Sequence, residues 1–263
     1  MSAVAIPTRT ARRLGCAVTA LGWGAFKIGR NEGIKYPQGY ALPTEAEAIA
    51  LVHSVIALGV TLIDTAPAYG LSEERLGRAF AALAPSARAS IVVSTKAGET
   101  FGDGISQYDF SRGAIERSLA MSHERLQSRR IDLVSIHSDG SDLAILGDGS
   151  ALAVLRDAKT RGTIGAIGFS PKSVDGARAA LAQPEVDAIM VEFHPDAPEF
   201  ASVIAHAHTL GKAVLVKKPL ASGRLDPIVA IPWILRHPGV TSAVVGGLSL
   251  DRLRANALIA ARA

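Results

Sequence analysis

Eight times along the chain a short β-branched run is followed by a few loop residues and then by a longer segment whose apolar residues recur at helical spacing. The runs are TALGW (19–23), VTLID (60–64), SIVVST (90–95), IDLVSI (131–136), IGAIGF (164–169), VDAIMV (186–191), AVLVK (213–217) and TSAVV (241–245). The periodic segments fall near 45–58, 72–83, 111–126, 150–161, 173–182, 198–210, 226–237 and 249–261, several opened by Ser, Asp or Thr where an N-cap belongs. Strict alternation requires crossover connections and hence parallel strands, and burial on both faces explains why the runs are continuously apolar. Two closures satisfy this pattern, an open doubly wound sheet and a closed (β/α)8 barrel. The count favours the barrel, because an open sheet of eight strands leaves two edges to manage. The first run also leads into GWGAFKIG, whose glycines lack the GxGxxG spacing of a doubly wound nucleotide-binding fold. The predicted fold is therefore an α/β (TIM) barrel occupying residues 1–263 as one domain, with about 33 residues per unit and little to spare.

Hydrophobic residues at 48% against 20% charged exclude a disordered chain, and aromatics at 5% make the core aliphatic. Basic residues exceed acidic ones by only four and are scattered singly, so neither nucleic acid nor an anionic membrane is implied. The sole cysteine, Cys16, cannot form an intramolecular disulfide, and there is no CxxC or Cys/His cluster for zinc, which fits a reducing cytoplasm. His206 and His208 stand two apart in a predicted helix and face different ways; His194 stands alone before Pro195 as a pocket-lining candidate. The apolar stretch LGCAVTALGWGAF (14–26) is too short to span a bilayer and reads as a buried strand and turn. The irregular stretch 30–43, with Tyr36 and Tyr40, reads as a long loop that either covers substrate or packs on the surface.

In a barrel the strand C-termini build the reactive face. Asp64 ends the second run in LIDTAPAYG, Tyr69 follows it by five residues, Lys96 ends the third in VVSTKAG, and His137 ends the fourth in LVSIHSDG. Singly, each has an ordinary structural explanation. Together they are chemically complementary: an ammonium favours a phenolate and lowers its pKa, a carboxylate keeps a buried lysine charged, and an imidazole donates to a carbonyl oxygen. That is equipment for reducing a carbonyl.

Through LIDTAPAYGLSEERLGRAF (62–80), STKAG (94–98), SIH (135–137), IGAIGFS (164–170), KKPLASGRL (217–225) and VVGGLSLDRLRAN (244–256) the chain resembles the aldo-keto reductase superfamily over essentially its whole length, in a bacterial-type, short-loop form. The resemblance implies a nicotinamide cofactor bound without a Rossmann fold and a tetrad of Asp64, Tyr69, Lys96 and His137. Hydride would pass between the cofactor and an aldehyde, ketone, sugar or alcohol, with Tyr69 handling the proton. It further implies cofactor contacts from Gly24, Ala25 and Phe26 after the first strand, from Asp64, and from Ser170 to the carboxamide. Pro219, Leu220, Ser222 and Arg224 would follow strand seven, the last two at the pyrophosphate. Gly246, Gly247 and Ser249 would open the last helix on a phosphate, and Arg252 and Asn256 would grip the 2′-phosphate and adenine.

The chain departs from the family where Pro171 replaces an asparagine, Met190 a glutamine and Lys217 a tyrosine that stacks on the nicotinamide. Lys217 offers either its methylene stem to the ring or its charge to a phosphate. Arg252 favours NADPH, with NADH the alternative, because the lysine common nearer the phosphate is Gly246 here. The lost amide clamps keep open a nicotinamide-binding regulatory module with little turnover. A Schiff-base lyase or aldolase through Lys96 or Lys217 ranks last, since Asp64 would keep Lys96 protonated. The short loops after strands four and seven predict an open pocket for a small carbonyl or sugar.

Overall fold

All eight runs form strands in the computed structural model, which describes residues 3–34 and 36–263. They are β1 (Leu21–Gly24), β2 (Leu62–Asp64), β3 (Val92–Ala97), β4 (Ile131–His137), β5 (Ile164–Ser170), β6 (Ala188–Glu192), β7 (Ala213–Lys217) and β8 (Ser242–Gly246). Each pairs in parallel with the next, and β8 returns to β1 through Val245 opposite Trp23 and Gly246 opposite Gly24, so the sheet closes as a barrel without edges. Period-two alternation explains why both faces had to be apolar. Leu62, Leu133, Ala166, Ala188, Met190, Leu215 and Val244 point inward and fill the barrel, while Ile63, Val134, Ile167, Ile189, Val214 and Val245 point outward under the helices.

The helices fall where the spacing predicts: α1 (Glu45–Ala57), α2 (Ser72–Ala81), α3 (Arg112–Arg125), α4 (Ser150–Thr160), α5 (Val174–Ala182), α6 (Ala201–Thr209), α7 (Pro227–Leu235) and α8 (Leu250–Ala260). Thr44 and Glu47 cap α1 reciprocally: the Glu47 N–H donates to Thr44 Oγ1 at 3.3 Å, and the Thr44 N–H to Glu47 Oε2 at 2.8 Å. Ser111, Ser173, Asp226 and Ser249 cap α3, α5, α7 and α8. No helix among the described residues is long and apolar enough to cross a membrane.

Four features lie outside the predicted alternation, the smallest a five-residue helix, Pro85–Ala89, between α2 and β3. An N-terminal antiparallel hairpin, Thr8–Thr10 with Ala17–Thr19, brings Ala11, Leu14 and Val18 against the inward-facing cluster and closes the barrel beneath β1. The apolar stretch 14–26 is thus split between this hairpin and β1. A second hairpin, Glu99–Gly102 with Ile105–Tyr108, rises from the end of β3. The loop after β4, expected to be merely short, holds a helix, Asp142–Asp148. The Asp142 carboxylate accepts from Ser138 Oγ, Ser173 Oγ and the Lys172 and Ser173 N–H groups, and so ties that loop to the start of α5.

Candidate active site

Register brings the first two groups together. Asp64 lies opposite Ser94 across β2 and β3, and Lys96, two residues on, projects from the same face. Ser94 Oγ donates to Asp64 Oδ1 at 2.9 Å, while Lys96 Nζ donates to Asp64 Oδ2 at 2.7 Å and to Thr65 O at 2.8 Å. Both charged side chains are buried. Burial alone would discharge the lysine, but Asp64 and the neighbouring phenol more than offset it and hold Lys96 above its ordinary range.

Tyr69 ends a single 3-10 turn, Pro67–Tyr69, and its ring stands edge-on to Phe26 at 4.9 Å and 75°. Lys96 Nζ lies 4.8 Å from the ring centroid. The turn can sit there because Gly29 and Gly70 carry no side chains: a Cβ on Gly29 would overlap Tyr69 O, and one on Gly70 would overlap Gly29 O. The Leu71 N–H donates to Gly29 O at 3.1 Å across this contact. Gly29→Ala is therefore expected to displace the Tyr69 turn and cost about 1–3 kcal/mol of stability, with turnover falling at least as far as in a stability-matched control elsewhere. A wild-type urea midpoint and wild-type turnover would contradict this.

One expectation is corrected here. Burial pushes the Tyr69 phenol above its ordinary range, Lys96 pulls it back, and Asp64 pushes it up again. The ammonium moderates a rise and does not produce a fall, because burial outweighs it and the carboxylates of Asp64 and Glu99 add to the burial.

His137 ends β4 level with Ser170 of β5. Its Nδ1 lies 2.5 Å from Glu99 Oε2, a residue of the second hairpin that the sequence reading passed over. Burial, reinforced by Lys96 and Lys217, depresses the imidazole below its ordinary range against the pull of Glu99. A shift in that direction favours the neutral ring at neutral pH.

A cleft of about 1290 Å³ runs from Asp64, Tyr69 and His137 past Gly24, Phe26, Pro219, Leu220 and Ser222 to Gly246, Gly247, Ser249, Arg252 and Asn256. Four of the residues carried over from the family do not form its wall. Ala25 is wholly buried in the helix-side core, because the turn after β1 rotates it inward. Met190 points into the barrel below the mouth, as its strand parity dictates. Ser170 is buried, donating to Met190 O at 3.3 Å and accepting from Lys217. Arg224 donates to Ala221 O at 3.0 Å within its own loop. His194 is likewise off the wall, buried with Nε2 3.4 Å from Glu192 Oε1.

Lys217 does line the cleft, with Nζ donating to Ser170 Oγ at 2.9 Å and to Pro171 O at 3.3 Å. Burial, together with Lys218 and Lys96, draws its pKa down to about 7. Its head is thus anchored at the Ser170 end of the cleft.

Of the stretch 30–43, residues 30–34 and 36–43 are described, and Arg30, Gly33, Ile34, Tyr36, Pro37 and Gln38 line the cleft. Tyr36 packs near Phe26 and Tyr40, Tyr40 Oη donates to Arg30 O, and the Arg30 guanidinium stacks 3.2 Å over Phe101 of the second hairpin. Lys27 Nζ sits over the rings of Tyr36 (3.9 Å) and Tyr40 (4.7 Å) and feels the charge of Arg252. Neither Lys27 nor Arg252 has a carboxylate partner among the described residues. Two cations without counter-ions beside two glycines and a helix start form a donor set that fits a polyanion, as a dinucleotide is.

The family model described as Aldo/keto reductase family matches residues 20–228. The chain belongs to the aldo/keto reductase family. This aldo-keto reductase is 37% identical to a solved Pseudomonas aeruginosa protein assigned to the aldo-keto reductases, with a TM-score of 0.88 over 99% of this chain and 96% of that one. It is 29% identical to the D-threo-aldose 1-dehydrogenase of a Pseudomonas species, over 94% of this chain and 91% of the other. The 6-dehydroglucose reductase of Novosphingobium aromaticivorans is 26% identical over 91% and 85%. As an aldo-keto reductase the chain is an oxidoreductase.

Proposed function

We propose that this enzyme exchanges a hydride between NADPH and a sugar or other small carbonyl compound, with Tyr69 as the acid in reduction and the base in oxidation, and with residues 1–263 acting as one unit in the cytoplasm. The observation that carries the reading is the buried Asp64–Lys96 pair set against the Tyr69 phenol, with His137 at the same barrel mouth. The names of the relatives, one an aldose dehydrogenase and one a dehydroglucose reductase, support a sugar substrate in either direction.

The nicotinamide, when bound, supplies or takes up the hydride. The chain's own part is the proton. A phenol held above its ordinary pKa is protonated at neutral pH and so is ready to give its proton to a substrate oxygen that gains negative charge. Lys96, kept charged by Asp64, then stabilises the phenolate left behind. In oxidation the same phenolate accepts the hydroxyl proton. Arg252 and Lys27 supply the charge that a 2′-phosphate would meet, and this favours NADPH over NADH.

Trp23 offers a binding signal, since its Nε1 donates to Gly247 O at 3.3 Å and Gly247 lines the cleft. Titration with each cofactor should change its emission, NADPH binding the tighter. Arg252→Ala should weaken NADPH by roughly tenfold or more, the worth of one charge-assisted hydrogen bond, and leave NADH nearly unchanged. Equal losses for both cofactors would remove Arg252 from the 2′-phosphate. Nicotinamide absorbance over a panel of aldoses and simple aldehydes tests turnover; cofactor binding with no turnover on any member would replace the enzyme by a nicotinamide-binding regulatory module.

A further inference from the structure

Glu99 occupies a position where a carboxylate has to be explained. Gly98, at φ +101°, turns the chain out of β3 and leaves no room for a side chain, since a Cβ there would stand 2.6 Å from Phe110. The hairpin that follows pairs Glu99 with Tyr108, yet the Glu99 side chain returns to the cleft and is almost wholly buried. Burying an isolated carboxylate is costly. Here Oε1 accepts from Ser106 Oγ at 2.6 Å and Oε2 meets His137 Nδ1 at 2.5 Å, with Arg30 acting at longer range and Tyr108 beside it. Against the burial that opposes it, the His137 contact, the Ser106 hydrogen bond and Arg30 hold Glu99 below the ordinary carboxylate range. The carboxylate is ionised.

The charged groups that act on His137 are Glu99, Lys96 and Lys217. Burial and the two lysines keep the ring neutral, so it carries one proton on one of two nitrogens. Nδ1 is itself buried and faces the carboxylate; the contact is short but not aligned as a regular hydrogen bond, so its effect is electrostatic. A nitrogen lone pair 2.5 Å from an anionic oxygen would be repelled, whereas an N–H there is attracted. Nε2, on the remaining face of the ring, is then left with a lone pair.

We propose that Glu99 is a positioning residue that fixes His137 in the Nδ1–H form, so that His137 presents an acceptor to the cleft and receives a hydrogen bond from a substrate hydroxyl. This deepens the assignment of a sugar or carbonyl substrate and rests on it for the word substrate. It reverses the expectation from sequence that His137 donates to a carbonyl oxygen. The neutral ring satisfies the alcohol form of the substrate directly and can donate to the carbonyl form only after gaining a second proton, whose charge Glu99 would balance.

The test is the ring nitrogens of the full-length, ligand-free protein labelled with 15N-histidine, read by long-range proton–nitrogen spectra at neutral pH. His137→Gln identifies its signals among those of the seven histidines. The wild type should show a protonated-type shift at Nδ1 and an unprotonated-type shift at Nε2. Glu99→Gln, which keeps an acceptor, should retain that pattern, while Glu99→Met should move the proton to Nε2. Among folded variants, Glu99→Met should also weaken an alcohol ligand relative to its carbonyl counterpart by about tenfold, about 1.4 kcal/mol. A wild-type ring protonated at Nε2, or on both nitrogens, overturns the proposal, as does a Glu99→Met ring unchanged from wild type. Because the spectra need neither cofactor nor turnover, they stand whether or not a sugar proves to be the substrate.

Discussion

Tyr69→Phe is expected to lower kcat/KM by roughly 10²–10⁴-fold, the usual worth of a positioned proton donor, while nicotinamide binding and thermal stability stay close to wild type. The substitution removes one oxygen and keeps the ring, so the edge-on contact with Phe26 at 4.9 Å survives. Lys96 loses the phenol but retains Asp64 at 2.7 Å and Thr65 O at 2.8 Å, and therefore stays charged and in place. The pH dependence sharpens the expectation. Because Tyr69 lies above its ordinary range, wild-type reduction should be insensitive to its titration at neutral pH and fall only on the alkaline side, whereas oxidation should rise with pH. The phenylalanine variant should lose both limbs. Steady-state rates in both directions, together with cofactor titration by Trp23 emission, check the result; wild-type turnover would remove Tyr69 from the chemistry.

The second large effect concerns the pair behind it. Lys96→Met strands a buried carboxylate with Ser94 as its remaining hydroxyl donor, and Asp64→Asn strands a buried ammonium. Each single change is expected to cost about 3–5 kcal/mol, because an uncompensated buried charge is far more expensive than the pair is valuable. The double variant Asp64→Asn/Lys96→Met should cost clearly less than the sum of the two, since neither charge then remains. Its activity should nevertheless be as low as that of Lys96→Met alone, because the phenolate has lost its counter-ion in both. Urea denaturation of all four proteins gives the coupling energy. Simple additivity would show that the two residues do not act as a pair.

Much of this arrangement is written locally in the chain. A strand buried on both faces must be apolar at every position, so VTLID and IDLVSI announce themselves, and polar residues at their ends, Asp64 and His137, stand out by contrast. Caps such as Thr44 and Ser249 are equally local. What the sequence hides depends on distant parts of the chain. Residues ETFG and ISQY around the second hairpin have no apolar pattern, and the return of Glu99 to His137 depends on a glycine and a phenylalanine that say nothing singly. The sign of the Tyr69 shift is a contest between burial and a neighbouring charge, and burial, which depends on how the whole mouth packs, wins it. Met190 and Ala25 follow family positions in the sequence, but strand parity and the rotation of one turn bury them away from the cleft.

The N-terminal hairpin gives the molecule a floor. Among the described residues, Ala11, Leu14 and Val18 pack against the inward-facing side chains at the lower end of the barrel, and the long cleft with its proton-handling group lies at the other end. If the proposed cofactor and substrate share that mouth, the one seated deeper would have to enter before the other and leave after it.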